Sequence, residues 1–328
     1  MGEKRSIHSC SISNNPFDLF ALIGQCRATT VAACATGPHQ PPASKGIDMT
    51  HHPQTWFITG TSSGFGRAFA EHALASGHRV VATARRTDSL ADLVAKAPDR
   101  VLAVALDVDV PGAAEAAIEA AVKRFERIDV LVNNAGYGAV GALEETSDAE
   151  LRALMDTNFF GAMAVMRAAL PVLRRQRSGA IVNISSLGGQ LSFAGFSAYS
   201  ASKFALEGAS EALAQEMAPF GVKVLIVEPG QFRTQLAGSG MRHLPAMEAY
   251  QSVVGATREF ARTMHNTQAG DPRKAAAAIE QALAAERTPL RLQLGGDAVE
   301  AVRAHAEALL KDMKDWESVS RATDFDVD

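Results

Sequence analysis

Residues 55–86 read TWFITGTSSGFGRAFAEHALASGHRVVATARR. TWFIT is a short apolar run that passes at once into a loop with glycines at 60, 64 and 66. GRAFAEHALASG then repeats apolar residues at helical spacing and stops at Gly77, and HRVVATA is a second apolar run. Strand, glycine loop, helix and strand in this order make one β-α-β unit. Neither run alternates polar with apolar residues, as a strand with one wet face would. Both are therefore predicted to be buried on two sides, in a parallel sheet covered by helices.

The pattern continues outward from this unit. RVLAVALDV (100–108), IDVLVNNAG (128–136), GAIVNIS (179–185), VKVLIVEPG (222–230) and PLRLQL (289–294) are five further buried-type strands. Helical segments fall between them: 88–97, 112–126, 148–176 as one long helix with a late proline, 198–221 and 271–286, with 297–313 following the last strand. Residues 231–270 show no sustained period and read as irregular, where a lid over a site would lie. Seven strands alternating with helices predict an α/β fold, one doubly wound domain over residues 49–328 with a seven-stranded parallel sheet.

Composition narrows the function. The 328 residues are 47% hydrophobic and 21% charged, as in a globular protein with a large core, and the net charge of −4 gives no basic footprint for nucleic acid. No apolar run reaches the ~18 residues of a membrane span. Cys10, Cys26 and Cys34 match no zinc spacing, and the cysteine-free remainder suits the reducing cytoplasm. Residues 1–48 are rich in loop residues and precede a credible start at Met49, so they read as a disordered or mis-assigned extension. A secretory signal is the alternative, but Asp18 and Arg27 interrupt its apolar segment.

The chemistry-bearing motifs lie at strand ends. TGTSSGFG (59–66) has the spacing G-x-x-x-G-x-G. Gly60 permits a sharp turn, Gly64 lets backbone approach a diphosphate at a helix N-terminus, and Gly66 allows the helix to pack closely on the sheet. Ser62, Ser63 and Phe65 share that loop. At the end of the second strand Ala84 stands where an acidic residue would hold ribose hydroxyls, and Arg85 and Arg86 follow it. Two guanidinium groups suit a 2′-phosphate, or form a solvated pair. Asp107, beside Val108, either accepts a bond from an adenine amino group or caps the next helix. YSASK sets Tyr199 and Lys203 four residues apart, on one helix face.

TGTSSGFG, NNAG (133–136), YSASK and EPG (228–230) together resemble the classical short-chain dehydrogenase/reductase family, closely over residues 54–234 and in layout beyond. The resemblance implies a single Rossmann-type domain, a nicotinamide cofactor, which Ala84, Arg85 and Arg86 predict to be NADP(H), and a catalytic tetrad of Asn158, Ser186, Tyr199 and Lys203, with Ser185 as an alternative to Ser186. In that reading Asn134, Ala135 and Gly136 support the cofactor, and Pro229, Gly230 and Thr234 border its nicotinamide. Tyr199 is the general acid/base, Ser186 orients the substrate oxygen, and Asn158 supports a proton relay. The Lys203 ammonium and an oxidised nicotinamide are expected to pull the phenol below its usual pKa of about 10. The resemblance also implies a homodimer or homotetramer.

The resemblance implies a small carbonyl compound or alcohol as substrate, and Met241, Leu244, Met247, Tyr250, Val253, Val254, Phe260, Phe193 and Phe196 either give it an apolar rim or simply cover the core. Arg242 and His243 meet an anionic group or only water. No metal constellation is present in the sequence. A non-catalytic NADP-binding regulatory or scaffold protein is the alternative, which the complete tetrad disfavours.

Overall fold

The structure, a computed structural model, describes residues 53–325. The extension at 1–48, its cysteines and Met49 lie outside the described residues. The strands are β1 (Thr55–Ile58), β2 (Arg79–Ala84), β3 (Val101–Ala105), β4 (Val130–Asn133), β5 (Gly138–Val140), β6 (Gly179–Ile184), β7 (Val222–Pro229), β8 (Met241–His243) and β9 (Arg291–Leu294). Seven form a parallel sheet in the order β3-β2-β1-β4-β6-β7-β9. These are the seven strands predicted. The helices are α1 (Gly64–Ala75), α2 (Ala91–Lys96), α3 (Ala113–Phe125), α4 (Asp148–Met155), α5 (Ala162–Gln176), α6 (Ser197–Met217), α7 (Gln251–Thr263), α8 (Pro272–Ala284) and α9 (Gly296–Arg321).

The continuous apolar runs are explained by two cores, one on each face of the sheet. In β1, Trp56 and Ile58 enter a cluster with Phe69 of α1 and Ile279 of α8, whereas Phe57 between them enters another with Ile118 of α3, Leu173 of α5 and Leu206 of α6. Successive side chains point to opposite faces, and both faces are dry. The chain builds outward from β1 to β3, then crosses back to β4 on the other side of β1. That reversal opens a crevice at the carboxyl ends of β1 and β4, where doubly wound sheets take their ligands.

Three predicted elements differ, one being the last helix, which runs past its expected end at 313 to Arg321. The helix expected over 148–176 is interrupted by a π-helical segment, Asp156–Gly161, so that α4 and α5 are separate. The segment 231–270 is not irregular throughout: it holds β8, which pairs in parallel with β5, and the thirteen-residue helix α7. The inward face of α7 carries Val254, Thr257, Arg258 and Ala261, all buried. Arg258 is paired there with Glu145 at 2.5 Å. Val253, Val254, Phe260 and Ala261 do recur at helical spacing, and the buried threonine and arginine between them hide that period.

Gly66 sets how closely α1 approaches the sheet. A Cβ there would lie 2.3 Å from the Gly60 carbonyl oxygen and 2.6 Å from Asn134 Nδ2. Gly66→Ala is therefore expected to push α1 off the turn and cost about 1–3 kcal/mol, the usual range for overpacking. Urea denaturation measures this, and an unchanged midpoint contradicts it.

Candidate active site

The glycine turn after β1 and the polar turn after β4 are locked together. Thr59 Oγ1 accepts from the amides of Asn134 (2.8 Å) and Ala135 (2.9 Å), and Asn134 Nδ2 donates to the Thr59 carbonyl (2.8 Å). Gly60 and Gly64 have φ of +71° and +58°, the left-handed region that favours glycine. Ser63 caps α1 in position only; its side chain makes no bond to the helix amides. Unsatisfied amides at a helix N-terminus beside bare backbone suit a diphosphate. A cavity of about 480 Å³ is lined by this loop, by Ala84 and Arg85 on one side of it and by Tyr199 and Lys203 on the other. These residues fit a dinucleotide.

Nearly all of the predicted cofactor residues line that cavity: Gly60, Ser62, Ser63, Gly64, Phe65, Arg85, Asp107, Val108, Asn134, Ala135, Gly136, Tyr199, Lys203, Pro229, Gly230 and Thr234. Gly66 lies behind, in its packing role. Arg86 does not line it; the side chain is exposed, with Nε 3.9 Å from Asp88. The backbone reverses its side after Arg85, so adjacent arginines do not share a direction. Asp107 does not cap α3, whose N-cap is Gly112.

Tyr199 and Lys203 sit one turn apart on α6, 9% and 6% exposed. Lys203 Nζ donates to the Ile184 carbonyl at 2.9 Å and lies 5.9 Å from the centre of the tyrosine ring. The Ser186 hydroxyl accepts from the Gly188 amide (3.0 Å) and also interacts with the Tyr199 hydroxyl. Ser185 is engaged elsewhere, donating to Glu207 at 2.5 Å, which separates the two serines left open by the sequence. Asn158 falls in the π-helical segment and is buried off the cavity. Its Oδ1 accepts from the Tyr137 amide (3.0 Å), and its Nδ2 donates to the Tyr137 carbonyl (2.9 Å) and to Ser202 Oγ (3.1 Å). Asn158 thus ties α6 to the turn after β4.

Burial governs both titrating groups. Desolvation pushes the Tyr199 phenol above its ordinary value, with the Ser186 hydroxyl drawing it partly back. The expected lowering is therefore not a property of the chain alone. Desolvation also lowers the Lys203 amine to about 8, against an opposing pull from the Glu207 carboxylate. An amine of that kind titrates close to neutrality, so its charge is adjustable at the site.

Several residues at the cavity were not anticipated. Tyr137, directly after the NNAG turn, lines it with an unpaired hydroxyl, and Arg242 stacks on its ring at 4.4 Å while pairing with Glu150 at 2.9 Å. Arg242 is thus engaged within the chain. Position after the turn was the available signal for Tyr137. Gln268 is 2% exposed with neither amide atom hydrogen-bonded, and lies at the cavity edge; nothing in its sequence context marks it. Among the predicted rim residues, Met241 lines the cavity. Leu244 packs with Tyr199 in a small core, Val254 is buried, and Met247 and Val253 face outward.

The family model for short chain dehydrogenase matches residues 54–245. The chain is 42% identical over 269 residues to oxidoreductase BOA17 of Botryotinia fuckeliana, covering 82% of this chain and 98% of that one. A short-chain dehydrogenase crystal structure from Streptomyces avermitilis matches with a TM-score of 0.80 at 53% identity, covering 84% of this chain and all of the other. A short chain dehydrogenase/reductase from Burkholderia phymatum in complex with NAD matches with a TM-score of 0.69 at 27% identity, over 79% and 95% of the two chains.

Proposed function

The chain belongs to the short chain dehydrogenase family of oxidoreductases, and from that premise we propose that it exchanges a hydride between NADP(H) and the carbonyl or secondary alcohol of a small apolar substrate. One observation carries the reading: Tyr199, Ser186 and Lys203 line the same cavity as the glycine turn. When bound, the nicotinamide cofactor supplies the hydride for reduction or takes it up in oxidation. Tyr199 donates a proton to the carbonyl oxygen in reduction and removes one from the alcohol in oxidation. Ser186, beside the phenol, holds that same oxygen. Lys203 stabilises the phenolate through its charge, and Asn158 fixes the turn and helix that form a proton path. Leu236 and Met241 on the cavity wall support an apolar substrate.

The glycine turn and the α1 amides would hold the diphosphate, Asp107 and Val108 the adenine, and the residues after β4 and β7 the nicotinamide. Ala84 leaves no carboxylate to grip ribose hydroxyls, and Arg85 on the cavity wall meets a 2′-phosphate. A charge-assisted bond contributes roughly 1.5–3 kcal/mol, so NADPH is expected to bind about 10–100-fold tighter than NADH. Ala84→Asp with Arg85→Ala should reverse that order. Fluorescence titration with both cofactors tests it, and equal or tighter NADH binding by the native chain refutes it. NADPH oxidation against ketones of graded apolar size tests the substrate class.

Self-association through the π-helical segment, α5 and α6 completes the proposal. Phe160 and Phe204 support it, exposed there by 57% and 46%.

A further inference from the structure

The last helix has an apolar face that nothing in the described chain covers. Only the start of α9 touches the body: Ala298 and Ala301 are buried, Val302 and His305 half-buried, and every residue from Ala306 to the helix end is exposed. Yet Leu309, Leu310, Met313, Trp316 and Val319 in that half are 52–70% exposed. Val302, Ala306, Leu309, Met313 and Trp316 recur at alternating steps of four and three, the spacing of a two-helix seam. Three ion pairs within the helix, Glu300–Arg303, Lys311–Asp315 and Glu317–Arg321, support it in water. Exposed pairs of this kind contribute little, and a helix with an apolar stripe is ordinarily held by what that stripe packs on.

We propose that this half of α9 is a self-association surface whose occupant is α9 of a second copy of the chain, antiparallel about a two-fold axis near Lys311. In that register Leu309 meets Met313 of the copy, and Ala306 meets Trp316, small against large. Arg303 and Glu317 flank the seam on one edge, so each Arg303 comes level with Glu317 of the copy, twice by symmetry. Leu310 meets its own copy between them. The opposite edge sets Asp312 against its copy, an exposed like-charge contact that salt screens. A parallel pair is worse matched: it sets Asp312 beside Glu317 of the copy and stacks Trp316 on Trp316. An anionic membrane surface is a poor alternative occupant, because α9 carries six acidic residues against four Lys and Arg.

The test compares the full chain with one ending at His305, which among the described residues removes only exposed ones. Light scattering at micromolar concentration should show the mass of the assembly halved by truncation, with circular dichroism of the body unchanged. Glu317→Arg should weaken the assembly at least tenfold, and Arg303→Glu with Glu317→Arg should restore it. Leu310→Cys should cross-link to its copy under mild oxidation, whereas Lys314→Cys, on the outer face, should not. Equal masses for full and truncated chains overturn the proposal. Failure of the charge swap to rescue, or vesicle binding by a full chain that stays monomeric, also overturns it. The contact through α5 and α6 is independent, and Phe160→Glu with Phe204→Glu reads it separately.

Discussion

Tyr199→Phe is expected to cut turnover at least about a hundredfold while cofactor affinity stays near native. The substitution removes one hydroxyl and keeps the ring, which is buried and packed edge-on against Phe196 with centroids 6.3 Å apart. Positioned acid–base catalysis typically contributes ~10²–10⁴-fold, so the loss should appear in turnover. The glycine turn, Arg85 and Lys203 are untouched, so NADPH binding should survive. Ser186→Ala should also lower turnover, and the double variant should be little worse than Tyr199→Phe alone, because the two hydroxyls serve one oxygen. The check is steady-state NADPH oxidation with a ketone that the native chain reduces, alongside a binding titration. Near-native turnover in Tyr199→Phe removes the proton-transfer role from this residue.

The site was legible in the sequence where geometry is local. Tyr199 and Lys203 share a helix face by spacing alone, and the glycines at 60, 64 and 66 had to lie in a tight turn under a helix. The strands were legible because burial on both faces writes an unbroken apolar run. What escaped depends on contacts distant in the chain. Nothing near Arg258 announces that Glu145 will neutralise it, so α7 read as irregular. Arg85 and Arg86 are equivalent as letters, and only the path of the backbone leaves one at the cavity and the other outside. The direction of the Tyr199 pKa escaped for the same reason. A lysine one turn away is visible in sequence, but the depth of burial that raises the phenol is not.

Lys203→Met is expected to make the chain more stable and nearly inactive. Burial lowers the amine from 10.5 to about 8. Between those values the unfolded chain holds a proton that the folded chain does not, so raising the pH through this window stabilises the native state. Below about pH 8 the full cost of a charged, buried amine is present. That cost is ~3 kcal/mol at 1.36 kcal/mol per pKa unit, and losing the bond to the Ile184 carbonyl offsets about 1 kcal/mol of the gain. Methionine keeps the stem without the charge, so the variant should be about 2 kcal/mol more stable at pH 7, with the advantage fading as pH rises towards 10. Activity should move the opposite way. Without the ammonium the buried phenolate loses its nearest positive charge, so the pH profile for alcohol oxidation should shift upward and turnover near neutrality should collapse. Urea denaturation at pH 7 and pH 10, beside the pH profile, separates the two effects. A variant less stable than the native chain at pH 7 contradicts a strained, buried amine. An unshifted profile would show that Lys203 does not act on Tyr199. A gain in stability with a loss of turnover is the pair of results expected of a group kept for chemistry and not for the fold.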